Sequence, residues 1–265
     1  MNLLLWKPEE LHHDEEGIYV DVTDKRKVSH IKYVLKATVG KQIRCGIVSS
    51  TIDVGTITCL SPQAITVRLS DKFLSDVPPE RPLIDLVVGI PRPRSLDKLL
   101  QYSASMGVGR ILLVCSSRVE LDYLKSHQLE MQNIEESLLL GMEQGVTTYM
   151  PEVQIHRSLG SLQRSLEKEP MATRLIAHPG TEDTLGSLGI TSHLSGPILV
   201  AIGPEGGWLD HEVDFYASLG FRKFNIGERI LRAEVAAVAI ISQLQLLLND
   251  KVLRQGRDRA TRDQL

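Results

Sequence analysis

Cysteine is scarce in this chain. There are three in 265 residues, and Cys45, Cys59 and Cys115 stand far apart. With no Cys-x-x-Cys pair and no His/Cys ligand spacing, neither a disulfide framework nor a metal centre is expected. The thiols should be reduced and mostly buried, as in a cytoplasmic protein. Aromatic residues make up 5% of the chain, so the core must be aliphatic. The formal net charge of -3 excludes a bulk polycation, and any nucleic-acid contact has to come from a local patch. No apolar run is long enough for a bilayer. The segment Val235–Leu248 falls short of the ~20 residues of a membrane helix and carries Gln243 and Gln245. The apolar start Leu3–Trp6 soon gives way to acidic residues, unlike a signal or transit peptide. A Gly-x-Gly-x-x-Gly dinucleotide fingerprint is missing too.

What is present falls into two rhythms. Up to about position 70 the segments "GIYVDV", "KQIRCGIVSS", "STIDVGTITCL" and "AITVRLS" are short and rich in Val, Ile and Thr, which predicts strands of a small barrel. One helix is expected around "SHIKYVLKAT", with Ile31, Val34 and Leu35 on its inner face. Pro78, Pro79 and Pro82 mark a linker. Beyond it, "PLIDLVVGIP", "RILLVC", "TRLIAHPG", "GPILVAIG" and "FRKFNIG" read as apolar strands, several ending in glycine. A helix capped by Ser95 and closed by Gly107 lies between the first two, and another spans Leu129 to Gln144. Alternating strands and helices with unbroken apolar strands imply a parallel sheet covered on both faces. The expected domains are 1–76, a small β-barrel; 82–250, the α/β domain; and 251–265, a charged tail. The last helix, "AEVAAVAIISQLQLLL", is apolar almost all round, and a partner subunit is expected to cover it.

Ligands of open α/β sheets bind beyond the carboxyl ends of the strands. Three such ends carry unusual residues: "AHPG" (177–180), "GPEGG" (203–207) and "NIGERILRAE" (225–234). Glycines permit close backbone approach to a ligand, but Glu205 among them would repel a phosphate. At these loops the chain resembles the uridine-N3 methyltransferases of small-subunit (16S) ribosomal RNA, members of the SPOUT class. The resemblance rests on "IGPEGGW", the following "E...ASLGF" and "IGERILRAE". It extends to "HIKYVLKATVGKQI", to "VVGIPRPRSLDKLLQYSASMGVGRILLV", and to the Glu143–Gln144 and Pro151–Val153 stretches, covering nearly the full length.

The resemblance implies an α/β SPOUT domain with a deep C-terminal trefoil knot, preceded by a PUA-like β-barrel that binds RNA. It also implies S-adenosyl-methionine as cofactor, a homodimer formed through the knot domain, and ribosomal RNA as partner. By that similarity His178, Gly203, Glu205, Gly207, Ile226 and Leu231 would hold the cofactor, whose cationic sulfonium and ammonium suit a carboxylate better than a phosphate would. Arg232 and Arg229 are the candidates to steady negative charge on an ionising uridine, with Glu205 and Glu234 assisting, Glu234 as general base or as the group orienting Arg232. Plainer readings stand beside these. Glu205 also reads as the cap of the helix after it, the arginines as ion-pair partners of Glu228 or Glu234, and His178 as a residue that shapes its turn. His12, His13, His127, His156, His193 and His211 read as solvated surface.

Between Lys25 and Arg44 lie seven Lys or Arg and no acid. Such a run is either a solvated face or an RNA-backbone grip made by Lys25, Arg26, Lys27, Lys32 and Lys36, extended by Arg92 and Arg94. Three positions depart from the family's pattern: Val235 replaces a usual threonine, Ser105 a common glutamate, and Val146–Thr147 stand where an arginine is often found. The alternatives are therefore a methyltransferase acting on another RNA position, or a non-catalytic RNA-binding assembly factor.

Overall fold

In the computed structural model, residues 2–61, 64–74, 77–169, 173–190 and 196–262 are described. Parts of the predicted linker (75–76), His193 and the last three residues of the predicted tail lie outside them. The chain divides into two compact units, one of Met1–Arg81 with Glu136–Met150, the other of Pro82–Glu135 with Pro151–Leu265. The stretch 136–150, expected inside the second domain, therefore belongs to the first unit.

The first unit is built on a six-stranded sheet: β1 (Leu4–Trp6), β2 (His12–Asp14), β3 (Gly17–Val22), β4 (Gln42–Ile47), β5 (Ile52–Leu60) and β6 (Ile65–Leu69), in the order β1-β4-β5-β6-β3-β2. Only the β1–β4 pair is parallel. Alternation sets the register: Ile18, Val20 and Val22 of β3 and Ile65, Val67 and Leu69 of β6 all point into one core. Strands β1 and β2 are the two edges of this hydrogen-bonded order. The stretch 136–150 ties down the start of the chain, because the Glu143 carbonyl accepts from the N–H groups of Asn2 and Leu3, both at 3.1 Å. The buried Glu143 carboxylate pairs with Arg26 at 2.6 Å.

The predicted helix starts earlier than expected. Helix α1 (Lys25–Ser29) is capped by Asp24, whose carboxylate accepts from the Lys27 N–H at 2.8 Å. It then widens into one π turn, His30–Val34. Ile31 is fully buried, but Val34, expected beside it, is 66% exposed. The wider turn changes which side chains share a face.

The second unit carries a sheet of β7 (Ile84–Gly89), β8 (Arg110–Val114), β9 (Glu152–His156), β10 (Thr173–Ala177), β11 (Ile198–Ile202) and β12 (Arg222–Phe224), in the order β12-β10-β11-β7-β8-β9. Every pair in it is parallel. Strands β7 and β11 are buried along their whole length, the reason their sequences run apolar without alternation. Helices α4 (Leu159–Leu166) and α5 (Asp210–Ser218) cover one face, with Trp208, Tyr216 and Phe221 packed against Val87, Leu112 and Ala201. Helix α2 (Pro93–Ser105) packs on α6 (Ala233–Arg262), and α6 contacts β7 and β11. Helix α2 begins two residues before the expected Ser95 cap, with Pro93 in its first turn and Gly107 at φ 74 beyond its end. Helix α6 runs on to Arg262, through most of what reads in sequence as a tail. Helix α3 (Met131–Gly145), whose residues from Glu136 on belong to the first unit, ends at Val146, a β-branched residue held at φ 57.

Two polar groups in this unit depart from sequence expectation. Asp85 lies inside the apolar strand β7 and is 1% exposed. Arg110 lies 3.3 Å from its carboxylate and also holds Glu169, at 2.8 Å through Nη2. His156, expected at the surface, is 9% exposed, and burial together with the nearby Arg110 charge lowers its pKa below the usual histidine value. Of the cysteines, Cys45 is buried and its thiol pushed up to about 12 by desolvation, whereas Cys59 is exposed. Arg110→Met removes the cation facing two carboxylates and should cost about 3–5 kcal/mol of stability, read by urea unfolding. Adding Asp85→Asn should recover part of it; no recovery would show that the ion pair is not what Arg110 contributes.

Candidate functional site

Three of the parallel strands end side by side, and their following loops enclose a cavity of about 340 Å³. After β10, the His178 N–H donates to the Phe224 carbonyl at 2.9 Å, and the Gly180 N–H donates to His178 Nδ1 at 3.0 Å. The imidazole thus folds its own loop. After β12, Asn225 fastens the neighbouring loop: its N–H donates to the Asp183 carbonyl at 2.7 Å, its Nδ2 donates to the Thr181 carbonyl, and its Oδ1 accepts from the Gly227 N–H at 3.1 Å. Gly227 stands at φ 130, a backbone reserved for glycine.

The loop after β11 is the tightest. Its turn closes through the Gly207 N–H on the Pro204 carbonyl at 2.8 Å, with Gly207 at φ 71. A Cβ on Gly203 would come within 3.1 Å of Gly207 Cα, and one on Gly89 of β7 within 2.4 Å of Pro204 Cδ and 2.8 Å of its N. At Gly89 only glycine allows the approach, and at Gly203 a Cβ would fit only if the neighbouring backbone gave by a few tenths of an ångström. Glu205 projects from this turn. Its carboxylate accepts from the Arg92 N–H at 3.0 Å, at the start of α2, so it caps α2 and not the helix after it. The cap of α5 is Glu212, which is fully buried. One Glu212 oxygen accepts from the Leu209 N–H at 2.8 Å, and the other from the Ser117 N–H, also at 2.8 Å. Glu212 thereby ties the loop after β8 to the chain just beyond the glycines. Arg118 on that loop donates to the Gly206 carbonyl and lines the cavity.

The predicted site residues fall into two groups. His178, Gly203, Glu205, Gly207, Ile226, Leu231 and Arg229 all line the cavity. Arg232 and Glu234 are not among its lining residues. Arg232 is exposed and supplies the carbonyl that accepts from Val235 and Ala236 at 3.0 and 2.8 Å, starting α6. Glu234 is 4% exposed, and its Oε2 has no hydrogen-bond partner among the described residues. None of Glu228, Arg229, Arg232 and Glu234 forms an ion pair among the described residues, which removes the plainer reading of the two arginines. In the first unit, Arg26 is engaged with Glu143, Lys27 with the Leu5 carbonyl, and Lys32 with the Ser61 carbonyl at 2.8 Å, while Lys25 and Lys36 are exposed. Arg92 and Arg94, in the second unit, are exposed at the start of α2. The described residues contain no group of three or more His, Cys, Asp or Glu placed to hold a metal, and no helix long and apolar enough to cross a membrane.

Residues 79–245 match the family of RNA methyltransferase domains. A ribosomal RNA small subunit methyltransferase E of Treponema pallidum is 32% identical over 243 residues, 90% of this chain and 88% of its own length. The chain belongs to this family. A relative of the same description from Rickettsia conorii is 23% identical across 88% of this chain and 91% of its own. Among solved structures, ribosomal RNA small subunit methyltransferase E from Neisseria gonorrhoeae bound to S-adenosyl methionine superposes with a TM-score of 0.72 at 27% identity, over 93% of this chain and 98% of that one.

Within the family frame, the residues that sequence reading missed are Arg118, Asn225 and Glu212. Arg118 lies in a loop without a glycine signature, and only the fold brings it to the glycines; Asn225 opens the quoted "NIGERILRAE" loop, but its hydrogen bonds to Thr181 and Asp183 reach residues more than forty positions away. Glu212 sits in the quoted "E...ASLGF" motif but reads there as an ordinary acid in the first turn of a helix. The close approach can be tested directly. Gly89→Ala should destabilise by about 1–3 kcal/mol, because its new Cβ meets proline ring and backbone. Gly206→Ala should cost less, because its Cβ meets only the exposed Arg118 side chain. Chemical denaturation of both variants checks the order, and equal losses would mean that the loop is not held by the Gly89–Pro204 contact.

Proposed function

We propose that this protein transfers a methyl group from S-adenosyl-methionine to N3 of a uridine in 16S small-subunit ribosomal RNA. The observation that carries the reading is the cavity itself: three glycine-bearing loops converging at strand ends in a chain of this family, with a carboxylate where a phosphate cradle would need donors. Its residues fit the cofactor. Gly203 and Gly207 leave room for a flat base against main chain, Leu231 and Ile226 offer apolar cover, and Glu205 supplies negative charge for a cationic ligand. When bound, the cofactor supplies an electrophilic methyl on a sulfonium.

The chain's own residues have the rest of the work. Uridine N3 attacks as its proton leaves, and the charge spreads over O2 and O4. A fixed guanidinium near those oxygens stabilises that charge. Arg232, exposed outside the cavity lining, is the group we assign to the uridine, and Arg229, which lines the cavity, the group nearer the cofactor. Glu234, with one carboxylate oxygen unengaged, is the candidate acceptor of the N3 proton. We further read the first unit as a PUA-like RNA-binding domain, the second as a SPOUT domain with its trefoil knot, and the protein as a cytoplasmic homodimer. Val235 (45% exposed) and Leu246 (63%) on α6, with Tyr102 (40%) on α2, are the apolar groups a second copy would cover.

Incubating the protein with labelled S-adenosyl-methionine and unmodified small ribosomal subunits, then mapping the label, tests the reading. Label on N3 of a uridine is the expected product. Cofactor binding without transfer would point instead to an assembly factor. Arg232→Ala should reduce transfer at least 100-fold while cofactor affinity by calorimetry stays within about tenfold. Arg229→Ala should weaken both. Wild-type turnover in Arg232→Ala would move the catalytic charge to Arg229.

A further inference from the structure

The basic run Lys25–Arg44 is not one uniform surface. Arg26, Lys27 and Lys32 are committed to internal partners: Glu143, the Leu5 carbonyl and the Ser61 carbonyl. Lys27 also lies 5.9 Å from the centre of the Trp6 ring. Lys25, Lys36 and Arg44 are exposed. Within this run the backbone departs from the α-helix. In the π turn the Leu35 N–H donates to the His30 carbonyl at 2.9 Å, and the Ala37 N–H reaches back to the Ile31 carbonyl at 3.1 Å. Lys36 follows at φ 46, a conformation that side-chain-bearing residues adopt only under constraint.

This irregularity has a definite result. A continued α-helix would set Val34 one turn from the buried Ile31, on the core side. The wide turn keeps Ile31 inside and leaves Val34 66% exposed, beside Tyr33, which lies two residues from Ile31 on the outer side and is 75% exposed. An aromatic ring and an apolar neighbour thus stand together in water at an irregular turn, in a segment that carries cations and no acid. π turns and left-handed non-glycine residues cluster at functional sites.

We infer that Tyr33 is a stacking platform for an unpaired RNA base, with Lys25 and Lys36 meeting the flanking phosphates. The identity of the polymer rests on the methyltransferase reading above. The chemistry is that of single-strand recognition: a ring face accepts any base, and neighbouring cations track the backbone. A second copy of this chain is a poor occupant, because a self-complementary contact would bring the same basic segment against itself.

The test is fluorescence anisotropy of a labelled single-stranded oligoribonucleotide titrated with the full-length protein over a series of salt concentrations. Tyr33→Ala should weaken binding roughly tenfold at every salt concentration and leave the salt slope unchanged. Tyr33→Phe should stay within about twofold of wild type, because the ring remains. Lys25→Glu with Lys36→Glu should instead flatten the salt slope. Equal affinity of Tyr33→Ala and wild type, a loss that phenylalanine does not restore, or a change in oligomer mass by light scattering in Tyr33→Ala would each overturn the inference. Failure of the methyltransferase reading shows separately, as wild-type protein that transfers no label to ribosomal subunits.

Discussion

At the end of β11 Pro204 comes so close to the backbone of β7 at Gly89 that no Cβ fits between them, and the cavity depends on that approach. Pro204 lies over Gly89, and Gly203 over Gly207, at separations a Cβ would close to 2.4 and 3.1 Å. The loop therefore owes its shape to missing atoms. Once Pro204 is seated on β7, Glu205 emerges beside the start of α2 and takes the Arg92 N–H. The glycines set the path of the chain, and the path sets where the carboxylate goes.

Around this contact the loops are joined by hydrogen bonds to main chain. Asn225 and His178 link the loops after β10 and β12. Glu212, fully buried, accepts from two N–H groups of different loops. A carboxylate on backbone donors is stabilised where an unpartnered one would be costly to bury. Arg118 completes the ring on the Gly206 carbonyl. The pocket floor rests on the sheet core, where Trp208 and Phe224 are buried. Arg229, by contrast, is exposed and makes no ion pair among the described residues.

How far the sequence could be read depended on whether a local rule or a distant partner governed each residue. Unbroken apolar runs identified the strands of the parallel sheet, because burial on both faces demands them. The glycine and arginine motifs identified seven of the residues lining the cavity. Ser95 was misread because Pro93 already meets the requirement for a helix start. Val34 was misread because periodicity assumes 3.6 residues per turn, and the π turn breaks that period. His156 looked like a surface residue because a single histidine carries no sign of its depth. Asp85 hides in an apolar strand because its partner, Arg110, lies on the next strand.

By itself, then, the sequence determined the order of elements, the all-parallel character of the second sheet and the loops where a ligand would sit. Those follow from local patterning and from glycine, whose freedom acts at its own position. Only the tertiary structure decided that Glu205 faces the start of α2, that Glu212 and Arg118 belong to the site, and that 136–150 folds with the first unit. Each of these is a pairing between residues far apart in the chain, and no local pattern encodes such a pairing. It exists only once packing of the sheets has brought the two groups within hydrogen-bond reach.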